Sequence, residues 1–251
     1  MGNLRCTNTQ PCIKDEWREK YGHGFNSHQI HTKIMAEHND KKSLYGWNKD
    51  TISWSAFSTW LSSKDQYRMR YYYEDRPSFQ TPETMFGNHI GDKLENKHPD
   101  VAHIEQYSHP EHRILVEVDG VKLLGYLDSF DPKANRFLEY KTGHKNKKGE
   151  YYWNAVKVAK HKQLDFYSVL IEAKYGSVQN QCKLIYMETV EEPLVYKGRK
   201  LEAMNKGLRL NGHVKEYKRS IEQWERNFMR QEIKKVAKAI RTDYERHQKS
   251  H

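Results

Sequence analysis

A chain of 251 residues with 43 basic against 33 acidic side chains, a net charge of +10 and a pI near 9.3 can bury a sizeable core in one large domain or one domain with extensions. Its charge favours a polyanion, nucleic acid ahead of an anionic membrane surface. No run approaches the roughly 20 apolar residues of a spanning helix and the N-terminus lacks a secretory apolar segment, so the expectation is a cytoplasmic protein with no membrane partner. The three cysteines, Cys6, Cys12 and Cys182, are too few for a disulfide framework or for the four thiolates of a cubane, which argues against an iron–sulfur cluster.

Residues 1 to about 50 are polar, with His23, His28, His31 and His38 scattered among Gly, Asn and Lys, and read as an arm with a short helix over 28–38. Cys6 and Cys12 with two of those histidines could bind zinc, but the spacing fits no finger pattern. At Thr51 the composition changes. Ser53 or Ser55 can cap a helix that sets Phe57, Trp60 and Leu61 on one side. Arg68 and Arg70, among the tyrosines that follow, are candidate phosphate contacts. Pro77 and Pro82 bound a loop, and Thr84 to Asn96 reads as the next helix.

From Ile104 to Leu124 the chain alternates as strands do, and Asp119-Gly120 between two such runs predicts a hairpin. A second hairpin joins Lys122 to Phe130 and Arg136 to Thr142 around Pro132 to Asn135. Centring that turn between Lys133 and Ala134 sets Asp128 opposite Glu139, with Lys141 on the face of Glu139. Gly143 to Tyr151 follows as a basic loop in which Lys145, Lys147 and Lys148 could hold a phosphate backbone. Trp153 to Lys174 is predicted helical, with Gln163 and Tyr167 on one face. Gln181 to Glu188 reads as a strand, Asn211-Gly212 as a turn. From Tyr217 onward Ile221, Trp224, Phe228, Ile233, Val236, Ile240 and Tyr244 describe one long basic amphipathic helix.

Two carboxylates and an ammonium on one half-buried sheet face cost free energy unless paired or bound to metal. A hard cation such as Mg²⁺ removes that objection, because it takes one or two protein carboxylates and leaves its other positions to water and substrate phosphate.

Asp128, ten intervening residues, then Glu139-Tyr140-Lys141 resembles the signature of the PD-(D/E)XK nuclease superfamily. The nominal proline is absent, and Gly125-x-x-Asp128 is similar to the RecB-like and lambda-exonuclease-like variant. Gln163-x-x-x-Tyr167 resembles the helical motif of those branches, and Gly91-x-x-x-Glu95 the first-helix motif in which a glutamate reaches the metal and a glycine lets the helix pack closely on the sheet. His89 is the alternative ligand, but six residues from Glu95 is about 240° around a helix, so the two do not serve one ion. Glu95 is the one chosen.

The resemblance covers residues 51–190 and implies an α/β fold: a mixed sheet with an antiparallel meander flanked by helices, the restriction-endonuclease-like core. An arm (1–50) would precede it and a basic C-terminal helical extension (191–251) would follow. It implies a DNA nuclease in which Glu95, Asp128, Glu139 and the Tyr140 carbonyl ligate Mg²⁺ or Mn²⁺, Lys141 positions or deprotonates the attacking water, and Gln163 and Tyr167 orient the site. Ser55, at the helix entry, is a candidate phosphate ligand beside its capping role. The expected activity is exonuclease action on DNA ends in recombination, replication or repair of phage or mobile DNA. A homo-oligomer joined through the C-terminal helix and a strand-annealing or recombination partner protein fit that setting. The alternatives are a non-catalytic DNA-binding module on the same fold and a structure-specific endonuclease.

Overall fold

The sheet is mixed and six-stranded, in a computed structural model that describes residues 43–73, 81–179, 181–191 and 207–250. The chain runs β1 (Ile52–Ser53), α1 (Trp54–Ser62), α2 (Lys64–Tyr71), α3 (Pro82–Glu95), a 3₁₀ turn (Pro99–Val101), β2 (His109–Val118), β3 (Val121–Asp131), β4 (Arg136–Gly143), α4 (Ala155–Ala159), α5 (Lys162–Tyr175), β5 (Gln181–Glu191), β6 (Leu208–Ser220) and α6 (Gln223–Lys249). The strands lie in the order β1-β3-β4-β5-β6, with β2 also paired to β3. β2, β3 and β4 form the expected antiparallel meander, β4 and β5 run parallel, and β5 and β6 antiparallel.

Turn chemistry sets these pairings. Asp119 and Gly120 both adopt positive φ, 49° and 78°, the backbone that a two-residue hairpin needs to match strand twist. The β3–β4 turn pairs Ser129 with Leu138 and Asp131 with Arg136, the register centred between Lys133 and Ala134. Alternation along β4 and β5 then sorts the cores. Phe137, Leu184 and Tyr186 enter one cluster with residues of α1, α5 and α6, while Leu138, Ile185 and Met187 enter another with Phe86, Ile90 and Leu94 of α3. The sheet is therefore covered by helices on both faces.

Several expectations are corrected. Ser53, not Ser55, caps α1, accepting from the Ala56 amide at 3.3 Å, and Leu61 is exposed beside buried Phe57 and Trp60. Pro82 opens α3 as its first residue behind the Thr81 cap, where its missing N–H costs nothing. The helix expected from Trp153 to Lys174 is two helices. His161, in extended conformation, divides them, its ring 4.6 Å from that of Trp153. The expected helix over 28–38 and the cysteine–histidine arm lie outside the described residues.

The largest correction concerns residues 191–251. Leu208–Ser220 is a strand at the sheet edge, and Asn211-Gly212 lies inside it, with Gly212 at φ 84° and a register shift between Met187 and Thr189 opposite. Its outward Lys, Arg and His blunt the edge and mask its alternation. The C-terminal segment thus completes the sheet, and Tyr45 is likewise buried in the core, so neither residue 50 nor residue 190 bounds it. In α6 the buried stripe is Met229, Ile233, Val236, Ala237, Ile240 and Tyr244, while Trp224 and Phe228 are exposed. That stripe packs in the chain's own core, each fully buried aliphatic contributing about 1.5–3 kcal/mol. Glu172 of α5, paired with Arg226 at 3.2 Å and Arg230 at 2.9 Å, fixes the helix in place.

Candidate active site

β4 is bonded to β3 only as far as Ser129 and Leu138, then leaves it to run beside β5 from Leu138 to Gly143. The sheet forks there. Asp128 forms no ladder pair with either neighbour: the pairs of β2 with β3 step from Pro110–Ser129 to His112–Leu127. Leu127 and Phe130, three residues apart, enter the same core, so strict alternation fails between them. The freed Asp128 carboxylate crosses the fork and accepts a 2.7 Å hydrogen bond from the Tyr140 amide. The fork opens into a cleft of about 1130 Å³ lined by Glu95, Glu111, Asp128, Glu139, Lys141 and Gln163, among others.

Glu139 is only 1% exposed. Its Oε1 accepts from the Lys141 ammonium at 2.5 Å, and its Oε2 has no partner. Lys141 also donates to Gln163 Oε1 at 3.1 Å, and Gln163 Nε2 donates to the Tyr167 hydroxyl at 3.0 Å. Glu139, Lys141, Gln163 and Tyr167 thus form one chain of hydrogen bonds, delivered by strand period two on β4 and by i, i+4 spacing on α5. Burial, then the neighbouring Glu139 carboxylate, pushes Asp128 well above the usual carboxylate range, and burial raises Glu139 against the pull of Lys141. Desolvation alone would lower Lys141, but Glu139 and Asp128 outweigh it and hold the ammonium protonated. His161 is driven down to about 4 by burial, then by Lys141 and Arg219.

Two desolvated carboxyl groups whose charged forms are disfavoured by burial, one with a buried unpartnered oxygen, form a hard donor set that a small divalent cation satisfies. Among the described residues no three His, Cys, Asp or Glu side chains close on a single point as they stand, since Lys141 holds Glu139 and the Tyr140 amide holds Asp128. The chemistry of the donors fits Mg²⁺ or Mn²⁺ all the same. Glu95, at the C-terminal end of α3, also lines the cleft, whereas His89 faces a separate pocket with Lys93 and Asp100. Gly91 does not serve close packing on the sheet: a Cβ there meets nothing within 4 Å. The nearer approach is at Gly87, where a Cβ would lie 3.4 Å from Thr142 Oγ1. Tyr140 anchors its own ring by donating its hydroxyl to the Glu105 carbonyl at 2.7 Å.

Not every candidate reaches the cleft. Arg68 is held by Asp243 of α6 at 2.9 and 2.7 Å and by Asp65 at 2.8 Å, so its guanidinium ties α2 to α6. Ser55 is exposed, its hydroxyl 2.9 Å from that of Ser53, and Arg70 is half-buried on α2; neither lines the cleft. Lys145 pairs with Glu188 at 3.3 Å and lies over the Tyr151 ring. Lys147 and Lys148 are exposed on the loop that leaves β4. Glu111, which lines the cleft, was not singled out by sequence reasoning. The one local signal was Pro110 interrupting a run of strand residues.

A forked α/β sheet presenting paired carboxylates and a lysine to an open cleft is the scaffold of a nuclease. The sequence model of the PD-(D/E)XK nuclease superfamily matches residues 59–251, and the chain belongs to that superfamily. Among solved structures it is similar to a phage related exonuclease from Haemophilus somnus 129PT, at 11% identity over 71% of this chain and 77% of that one, with a TM-score of 0.44. It is also similar to an alkaline exonuclease from Laribacter hongkongensis, at 8% identity over 80% of this chain and 93% of that one, with a TM-score of 0.43. No curated protein matches the chain.

Proposed function

We propose that this protein is a Mg²⁺- or Mn²⁺-dependent deoxyribonuclease that acts at DNA ends. The observation that carries the reading is the buried Glu139 carboxylate, one oxygen on Lys141 and the other without a partner, beside the upshifted Asp128. Glu95, Asp128, Glu139 and the Tyr140 carbonyl would hold the cation, whose part is to stabilise charge on the phosphate and lower the pKa of bound water. Lys141, kept protonated by its two acidic neighbours, acts as a donor that orients water or phosphate oxygen. Gln163 fixes the ammonium through its side-chain oxygen, and Tyr167 fixes Gln163. Lys147 and Lys148 extend the positive surface outward from β4 toward the DNA backbone.

Action at ends is supported by Gly91-x-x-x-Glu95 and Gln163-x-x-x-Tyr167, which resemble the end-processing branches. Recombination or replication of phage or mobile DNA in a bacterial cytoplasm, with a strand-annealing partner, is the setting that fits. The test is to incubate the protein and Mn²⁺ with closed circular DNA and with linear duplexes labelled at either end. Labelled mononucleotides from one end, with the circle intact, are expected. Rapid cutting of the circle with no advantage for ends would make the enzyme an endonuclease, and cleavage that survives both Glu139→Ala and Lys141→Ala would remove the site assignment.

A further inference from the structure

The loop that leaves β4 is internally braced. Lys145 and Tyr151 pair across it as an antiparallel bridge, and the Asn146 side-chain oxygen accepts from the Lys148 and Glu150 amides at 2.9 and 3.0 Å. Lys215 of β6 lies 3.6 Å from the centre of the Tyr151 ring, Lys145 lies 4.8 Å from it, and His213 stacks beside it at 6.0 Å. Tyr151 therefore gathers cations against the edge of the sheet. Tyr152, next in the chain, is placed differently. It is 60% exposed, yet its position is fixed: the ring meets Trp153 edge to face at 5.5 Å, and the Lys157 ammonium lies 3.6 Å from its centre. Trp153 is held in turn, its carbonyl accepting from the Tyr217 hydroxyl at 2.9 Å and its ring standing 4.6 Å from that of His161. Asn154 caps α4 by accepting from the Lys157 amide at 3.0 Å. His161 comes two residues before Gln163 and feels the Lys141 ammonium, so the row of rings leads from the surface toward the hydrogen-bonded chain of the cleft.

We infer that Tyr152 is a stacking platform for an unpaired nucleotide of the DNA strand, with Lys157 and the lysines of the 145–148 loop on the phosphates to either side. The inference rests on the nuclease reading given above and narrows its substrate to DNA with a single-stranded end. Two features carry it. An aromatic ring held in place while most of its surface meets water offers a flat face to a base, and every base has a π-face to set against it. Charge supplies the other feature: from Gly143 to Lys162 there are six lysines and a single acid, Glu150, which accepts from the Asn146 side-chain amide at 2.9 Å. Stacking rings interleaved with cations are the means by which proteins hold a single strand whatever its sequence. Inside a duplex the faces of the bases are covered by their neighbours, so a strand must be unpaired to lay a base on Tyr152.

The test is fluorescence anisotropy of the full chain in EDTA with labelled oligodeoxythymidylate and with a blunt duplex of the same length, comparing wild type with Tyr152→Phe, Tyr152→Ala and Tyr152→Leu. Loss of one stacked base on alanine substitution is a loss of about five- to 150-fold in affinity. Tyr152→Ala and Tyr152→Leu should therefore bind the single strand at least about fivefold more weakly, and Tyr152→Phe, which keeps the ring, should bind it as wild type does. The losses on the blunt duplex should be much smaller. Single-strand affinity unchanged in Tyr152→Ala, or kept in Tyr152→Leu, overturns the inference, and cleavage of linear DNA by the wild type with Mn²⁺ then leaves the nuclease reading standing. Equal losses on single strand and duplex also overturn it, since the residue would then serve the fold of the loop. Ring-dependent binding by a wild type that cleaves no DNA would keep the platform and remove the nuclease reading. Failure of the wild type to bind either DNA overturns both.

Discussion

Replacing Glu139 by Gln separates the charge of this side chain from its shape. In the metal-free protein the change should be small. The Gln carbonyl can still accept from Lys141, which lies 2.5 Å from Oε1, and the amide nitrogen takes over the site of an oxygen that already lacks a partner. Repulsion of Asp128 disappears, so the net effect should fall within about 1 kcal/mol. With metal the two proteins should diverge. A ligand at one hundred times its dissociation constant stabilises the fold by about 2.7 kcal/mol, and for a domain of this size that is a rise in Tm of roughly 5–10 °C. Scanning calorimetry in EDTA and in saturating MnCl₂ measures both quantities. The Mn²⁺-induced rise in Glu139→Gln should be half that of wild type or less, with DNA cleavage lost. An undiminished rise would mean that Glu139 does not hold the ion.

Asp165, buried against Arg219 at 2.6 Å, is raised by burial to about 6, above its unfolded value. The stability linked to it is fully present below about pH 4 and is lost as pH rises through about 6, up to about 3 kcal/mol in all. Urea midpoints in EDTA at pH 4.5 and 7 should therefore fall more in wild type than in Asp165→Asn, and equal falls would contradict the assignment. In Gly125→Ala the new methyl would lie 2.3 Å from Leu170 Cδ1 and 3.4 Å from the Tyr167 ring; overpacking of about 1–3 kcal/mol is expected, and an unchanged Tm would show that α5 yields freely. Arg68→Ala should lower stability by about 1 kcal/mol and leave DNA affinity untouched. Changing Lys147 and Lys148 together to Gln should weaken binding to every sequence and reduce the salt slope by about 2. A loss of DNA affinity on Arg68→Ala would return that residue to the interface.

What the sequence determined by itself is the part of the site built from neighbours along the chain. Asp128, Glu139 and Lys141 could be placed together because a short turn fixes the register of its strands, and period two then fixes which side chains share a face. Gln163 and Tyr167 were legible for the same reason at helical spacing. The long C-terminal helix was legible too, but not the whole of its buried stripe: Trp224 and Phe228 fit the apolar pattern and lie in solvent, because α5 and α1 cover only one flank. Strand β6 was hidden because an edge strand carrying Lys, Arg and His on its outer side loses the alternation that reveals buried strands. The ion pair of Arg68 was not legible because its partner, Asp243, stands 175 residues away and no local pattern announces it. Glu111 required the pairing of β2 with β3 and a left-handed backbone in mid-strand, both properties of the assembled sheet. Turn and periodicity are short-range and are written in the residues that make them. The choice of partner for an isolated charge, and the point at which a sheet forks, follow from which surfaces meet when distant elements pack, and the tertiary structure alone decides them.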